Sequence, residues 1–264
     1  MRAVLLLLWT TTGAGAQTVT IRFFDVGQGD AALITSPSGQ TVLIDGGYHS
    51  DVAQWMAGMS IDTIDLVVAS HNHADHIGGL GDLLQTNVTF RAYMDNGRTA
   101  PSKTYQDLVR ALMYDSIRVL ADTPRIIRLG GITLRVLPMP PVSVDENNAS
   151  LGILLSYGRF SALFPGDAEV PERRFWEEEA ALGPVTVLKV SHHGAANGTD
   201  SLWLQTVQPR VAVISVGRNN YKHPSNRTLS LLQHFGIRTL RTDVSGDVTI
   251  TADTSGAYRI STER

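Results

Sequence analysis

The hydrophobic pattern is strand-like through the first third of the chain. Apolar residues alternate or run together over 18–24, 31–35 and 41–44, with glycine-rich corners between them. Alternation with period two marks a half-buried strand, and a short unbroken apolar run marks one buried on both faces. Ser36-Pro37-Ser38-Gly39, between the second and third runs, is hairpin punctuation. Leu66-Val67-Val68-Ala69, inside a strand predicted over 65–70, leaves no polar face at all. The period then changes. Over 102–113, Tyr105, Leu108, Val109 and Leu112 fall on one helical stripe, and Ser102 suits the N-cap.

The second half repeats the theme. Segments 151–157 and 160–164 predict a hairpin around Gly158. A helix is expected over 171–182, with Pro171 in its first turn and Glu172 at its positive end. Strand 185–190, helix 200–207, strand 210–216 and helix 226–235 alternate after it, the last capped by Ser225 and stopped by Gly236. Strands over 248–252 and 257–260 close the chain. Periodicity alone defines one domain of mixed α and β structure. Strands first, then strand–helix alternation, in two comparable halves, suggest two packed sheets with helices outside: an α+β, four-layer αββα sandwich.

The N-terminus reads differently. Met1-Arg2 precede an apolar run over 3–9, and small residues end at Ala14-Gly15-Ala16. One basic residue, a short apolar core and an A-x-A-like site predict a signal peptide over 1–16 and a mature domain over 17–264. That core falls far short of the roughly 20 residues a membrane span needs. The mature chain is therefore expected to have no stable membrane insertion and to work in the periplasm or outside the cell. The 264 residues carry 22 Lys and Arg against 25 Asp and Glu, and loss of Arg2 makes the balance slightly more acidic. A chain-wide nucleic-acid-binding face is excluded by that balance, though a local one is not. Cysteine is absent, which rules out thiolate metal sites and a cysteine nucleophile.

The chemistry concentrates at Ser70-His71-Asn72-His73-Ala74-Asp75-His76-Ile77-Gly78-Gly79, directly after the buried strand. Neutral imidazoles and a carboxylate are good ligands for borderline divalent metals, and His71 and His73 can face one ion while Asp75 and His76 face another. The glycines after them allow a tight turn and a close backbone approach. His192-His193 and His223 also follow apolar strands, as does Asp167 in Pro165-Gly166-Asp167, so all should emerge along one sheet edge. An aspartate there suits a bridge between two metals.

HxHxDH followed by Gly-Gly, then a later strand ending in Gly-Asp, resembles the metallo-β-lactamase superfamily. Within it, Phe24-Asp-Val-Gly-Gln-Gly-Asp30, Leu43-Ile-Asp-Gly-Gly47, Asn147-Asn-Ala-Ser-Leu151, Lys189-Val-Ser-His-His-Gly194 and His223-Pro-Ser225 are similar to the hydrolase domain of ComEC-type competence proteins. The resemblance implies His71 and His73 on a first metal, Asp75, His76 and one of His192 or His193 on a second, and Asp167 bridging. His192, nearest the strand, is the favoured ligand of that pair. Asp45 is implied as a carboxylate fixing the metal loop, and His223 as ligand, proton donor or substrate contact. Asp75, His193 and His223 are the candidates for catalytic work beside the ions. Many superfamily members carry a further histidine where this chain has Asn147-Asn148, which leaves the first ion fewer protein ligands.

Two divalent ions, zinc preferred and manganese the rival, are expected to supply metal-bound hydroxide at neutral pH. The expected reaction is hydrolysis of a phosphodiester, with DNA a candidate substrate. The alternatives are a β-lactam or lactone, a cell-wall phosphocholine ester, or a binding module without catalysis. A basic groove, an aromatic cage or a narrow apolar cleft would distinguish them.

Overall fold

The computed structural model describes residues 17–49, 51–120, 123–141 and 145–264; the expected leader over 1–16 lies outside them. The three opening apolar runs fold as antiparallel neighbours, β1 (Val19–Phe23), β2 (Ala32–Thr35) and β3 (Thr41–Ile44). Helix α1 (Asp51–Gly58) and strand β4 (Thr63–Ile64) lead to the wholly buried β5 (Leu66–Val68), which adds to β3 in parallel. Next come α2 (Ala74–Leu83), β6 (Thr89–Phe90), β7 (Ala92–Met94), α3 (Lys103–Tyr114) and β8 (Arg118–Leu120). Ser102 caps α3 by accepting the amide N–H of Tyr105.

The second sheet begins with β9 (Arg125–Leu129), β10 (Ile132–Val136), β11 (Ile153–Tyr157) and β12 (Phe160–Phe164), all antiparallel. Helix α4 (Val170–Glu179), β13 (Val187–Lys189), α5 (Ser201–Val207), β14 (Val211–Ile214), α6 (Asn226–His234) and β15 (Arg238–Arg241) then extend it by parallel strands. After the short helix α7 (Thr242–Ser245), the hairpin of β16 (Val248–Ala252) and β17 (Tyr258–Thr262) returns to the first sheet, where β16 pairs with β1. The sheets read β17-β16-β1-β2-β3-β5-β7-β8 and β15-β14-β13-β12-β11-β10-β9.

Three apolar layers separate the four layers of structure. Ile21, Ile34 and Val68 of one sheet meet Leu134, Leu155 and Val213 of the other in the central core. Val52, Ile77, Leu80 and Leu108 cover the outer face of the first sheet, on Leu33, Leu43 and Val67. Trp176, Trp203 and Leu232 cover the second, on Leu163, Leu188 and Ile214. Each such side chain contributes roughly 1.5–3 kcal/mol by leaving water. The αββα sandwich is thus the observed architecture.

What matters for the site is where strands end. The carboxyl ends of β3, β5, β12, β13 and β14 and the β1–β2 corner all open on one edge. Open sheets of parallel strands place their ligands at such an edge.

The motif glycines meet the expected close backbone approach but not the expected turn. Gly78 and Gly79 lie inside α2 rather than in a turn. Their role is close approach: a Cβ at Gly79 would stand 2.1 Å from the Gly46 carbonyl oxygen, and one at Gly78 would stand 2.2 Å from that of Tyr48. The helix accepts the usual glycine penalty of about 0.5–1 kcal/mol per residue so that the loop after β3 can lie directly on it.

Candidate metal centre

Asp45 sets the geometry from behind. It holds a left-handed backbone (φ 58°), and its carboxylate accepts the Ser70 amide at 2.7 Å and the Ser70 hydroxyl at 2.8 Å. The same carboxylate lies 2.9 Å from His76 Nδ1. A carboxylate on one ring nitrogen fixes the tautomer and leaves the other to point into the site. His76 Nε2 accordingly faces Asp167 Oδ2 at 3.3 Å.

His193 has the same design. Its Nδ1 meets the Ser215 carbonyl at 3.0 Å, and its Nε2 faces Asp75 Oδ2 at 3.3 Å and Asp167 Oδ2 at 3.4 Å. Both His192 and His193 sit at positive φ, 52° and 51°, which turns two adjacent side chains to different sides. Such backbone costs about 1–3 kcal/mol per residue and is held by its surroundings. His192, expected from the sequence to be the inward member, faces the mouth. It stacks edge-on against His223 with ring centres 5.3 Å apart, 3.3 Å from Glu169 and 3.9 Å from Asp167. His71 Nε2 and His73 Nδ1 meet at 3.0 Å beside this cluster. His73 is also the N-cap of α2, and Asp75 lies in its first turn, where the helix end favours a negative charge.

Two further participants lie within motifs the sequence analysis quoted but were given no role there. Asp30 comes from the β1–β2 corner and lies 3.5 Å from His193 Nδ1 and 3.6 Å from His76 Nδ1, behind both rings. Lys189 pairs with Asp30, lies 3.6 Å from Asp167 Oδ1 and donates to the Gly166 carbonyl at 3.1 Å. Its one available signal was a lone charge inside an apolar strand. The corner motif Gln28-Gly29-Asp30 pointed to a turn near the site, without a role for its aspartate.

The charges are strongly coupled. Burial alone would raise the Asp30 pKa, but Lys189 and His193 outweigh it and pull it down to about 2. Burial opposes charge on His76 and His193, yet Asp167 with Asp45, and Asp167 with Asp30, hold both well above the ordinary histidine value. His71, by contrast, is pushed well down by burial and by the charge on His76.

This donor set fits a divalent cation. Asp30, His76, Asp167 and His193 offer ligand atoms within 4.8 Å of one another, all buried. The Nε2 atoms of His76 and His193 and Oδ1 of Asp167 are buried without a hydrogen bond. Buried polar atoms are normally satisfied, so imidazole nitrogens converging on a carboxylate are what a metal site presents without its ion. Asp30 reaches the rings at Nδ1, the edge opposite those free nitrogens, and so serves as their support.

Comparison with known proteins agrees with this geometry. The chain belongs to the metallo-β-lactamase superfamily, whose model matches residues 24–218. Members generally bind divalent metals such as zinc, and the chain is a hydrolase of that superfamily. Its relatives include proteins of the ComEC competence type. It is 29% identical over 255 residues to ComE operon protein 3 of Bacillus subtilis, covering 86% of this chain and 32% of the relative. It is 30% identical over 241 residues to Recombination protein 2 of Haemophilus influenzae, covering 86% and 28%. The chain therefore spans about a third of the length of these relatives. Among solved structures, the metallo-β-lactamase fold protein YhfI of Bacillus subtilis matches at TM-score 0.56 and 14% identity, over 88% of this chain and 99% of that one. A diphosphatase of the PhnP family matches at 0.53 and 14%, over 90% and 100%.

Proposed function

We propose that the chain is an exported phosphodiesterase acting with two divalent cations, zinc preferred and manganese the rival, and that DNA is its substrate class. The observation that carries this reading is the groove over the buried cluster. It encloses about 870 Å³ and is lined by His73, Asp75, Asn147, His192, His223 and Arg218 among others. A groove of that size, open to solvent, of mixed polar and apolar lining and with a cation at its rim, has room for an extended anionic chain, whereas a β-lactam wants a narrow apolar cleft. Kinship with competence proteins supports DNA over a cell-wall polymer.

In this reading His71 and His73 would hold one ion, Asp75, His76 and His193 would hold the other, and Asp167 would be available to both. When bound, such ions supply Lewis acidity toward a phosphoryl oxygen and make water acidic enough to ionise near neutral pH. The chain's own groups do the rest. Asp45 and the Ser215 carbonyl lock the tautomers of His76 and His193. Against the cost of burial, Lys189 and His193 keep Asp30 ionised, and His193 and His76 do the same for Asp167. Arg218, exposed at the rim, attracts phosphate.

Assaying the metal-loaded protein against bis-p-nitrophenyl phosphate, single-stranded DNA and nitrocefin tests the reading. Turnover of the first two is expected. Hydrolysis of nitrocefin alone would refute it. Export rests on the composition of residues 1–16. Sequencing the secreted protein should find Gln17 first, and a retained Met1 would count against export.

A further inference from the structure

The groove carries two features that metal chemistry does not use. Tyr221 is 74% exposed and Tyr48 is 51% exposed, and both line the same cavity as Asp75 and Asp167. Large rings left this open gain nothing from the fold. Their faces become useful only when something flat covers them.

The loop that carries Tyr221 is built to hold the ring still. Asn219 saturates its own side chain on that loop: its Oδ1 accepts the amides of Tyr221 and His223, each at 3.0 Å. Its Nδ2 donates to the carbonyls of Gly217 and His223, each at 2.8 Å. Lys222 is held at φ 65°, a strained conformation for a residue with a side chain, right beside the ring. Tyr221 then leans on His223 at 5.7 Å between ring centres, and His223 leans on His192. A solvent-facing aromatic on a loop pinned by four hydrogen bonds of Asn219, with its ring resting on His223, presents its face with a backbone already ordered, so less entropy remains to be lost on binding.

Resting on the phosphodiester reading above, we propose that Tyr221, with Tyr48 as a second ring, is a stacking platform for unpaired nucleobases of a strand whose phosphates lie over the buried cluster. Arg218 and Lys222, both exposed next to Tyr221, draw the backbone to the same lip. Bases within a duplex are already stacked on each other, so the platform selects single strands. Stacking on an aromatic face is strong and tolerant of sequence. A choline head group also seeks aromatic rings, but two cations beside the platform repel a quaternary ammonium.

The test separates stacking from cleavage by measuring binding to the metal-stripped full chain. Fluorescence anisotropy compares a labelled deoxyoligonucleotide of about 12 nucleotides with an abasic strand of the same length and charge. The wild type should prefer the base-bearing strand on the order of 10-fold. Tyr221→Leu should abolish most of that preference, Tyr221→Trp should keep it, and Tyr48→Leu should lower it by less. Equal binding of both strands by the wild type, no binding of either, or an undiminished preference in Tyr221→Leu would overturn the proposal. Failure of the phosphodiester reading is seen separately, as inert bis-p-nitrophenyl phosphate.

Discussion

Asp167→Asn is expected to strip the protein of metal and to lower phosphodiester turnover by more than about 100-fold, the upper end of what removing a mere supporting partner costs. The expectation follows from position. Asp167 Oδ2 is faced by His76 Nε2 at 3.3 Å and His193 Nε2 at 3.4 Å, while Oδ1 lies toward Lys189. Among the described residues, no other carboxylate contacts the free nitrogens of both histidines. Asparagine keeps the shape and removes the charge, so loss of function with a retained fold would isolate electrostatics and ligation. A second readout comes from the protons. In the metal-free protein Asp167 raises both histidines, after burial has pulled the other way, so each binds a proton where a cation is to go. Metal must displace those protons, and wild-type affinity should therefore climb as pH rises through the raised histidine values. Asp167→Asn removes the attraction, and the pH dependence of any residual binding should move to lower pH. Calorimetric titration with zinc, paired with elemental analysis, measures both. Full metal content and full turnover in Asp167→Asn would refute the bridging role.

The ligand-bearing segments were legible because they are local. An apolar strand followed closely by histidine or aspartate has few ways to be read: β12 ends where that pattern puts it, and β5 and β13 stop one or two residues short, at Val68 and Lys189. What the sequence hid depends on contacts between distant segments. Helix α2 was invisible because Gly78, Gly79 and Gly81 break helix propensity, and only packing on the loop after β3 explains the first two. Strands β8, β9 and β15 expose much of their surface, so their apolar residues do not alternate cleanly. The hairpin of β16 and β17 reads locally as two strands, but its place beside β1 is a long-range pairing that no local pattern encodes. Asp30 is the same lesson at the site. It reads as a glycine-rich corner until Lys189, more than a hundred residues later, is folded against it.

The order of the two adjacent histidines is the sharpest case, because proximity to the strand pointed to the wrong face. Counting from β13, His192 comes first and should lie nearer the sheet edge. The left-handed backbone at both residues reverses this, turning His193 inward and His192 toward the mouth. His193 is 1% exposed, its Nδ1 is taken by the Ser215 carbonyl, and its Nε2 looks at Asp75 and Asp167. His192 shares its surroundings with Glu169, Asn147 and His223 instead. His193→Ala is therefore expected to lose an ion and nearly all turnover. His192→Ala and His223→Ala should each keep full metal content. Burial and the neighbouring His192 lower the His223 pKa, which favours the neutral ring, and under the proposed function that ring would donate its one N–H to substrate. A hydrogen bond from that N–H to a charged phosphate oxygen is worth about 1.5–3 kcal/mol, so His223→Ala should lower kcat/KM on the order of 10- to 100-fold. Because the contact is made in binding as well as in reaction, KM should carry much of the loss, and the loss should be similar for good and poor leaving groups. Metal analysis of the three variants decides the assignment: retention of both ions by His193→Ala, with loss of one from His192→Ala, would exchange the roles of the adjacent pair.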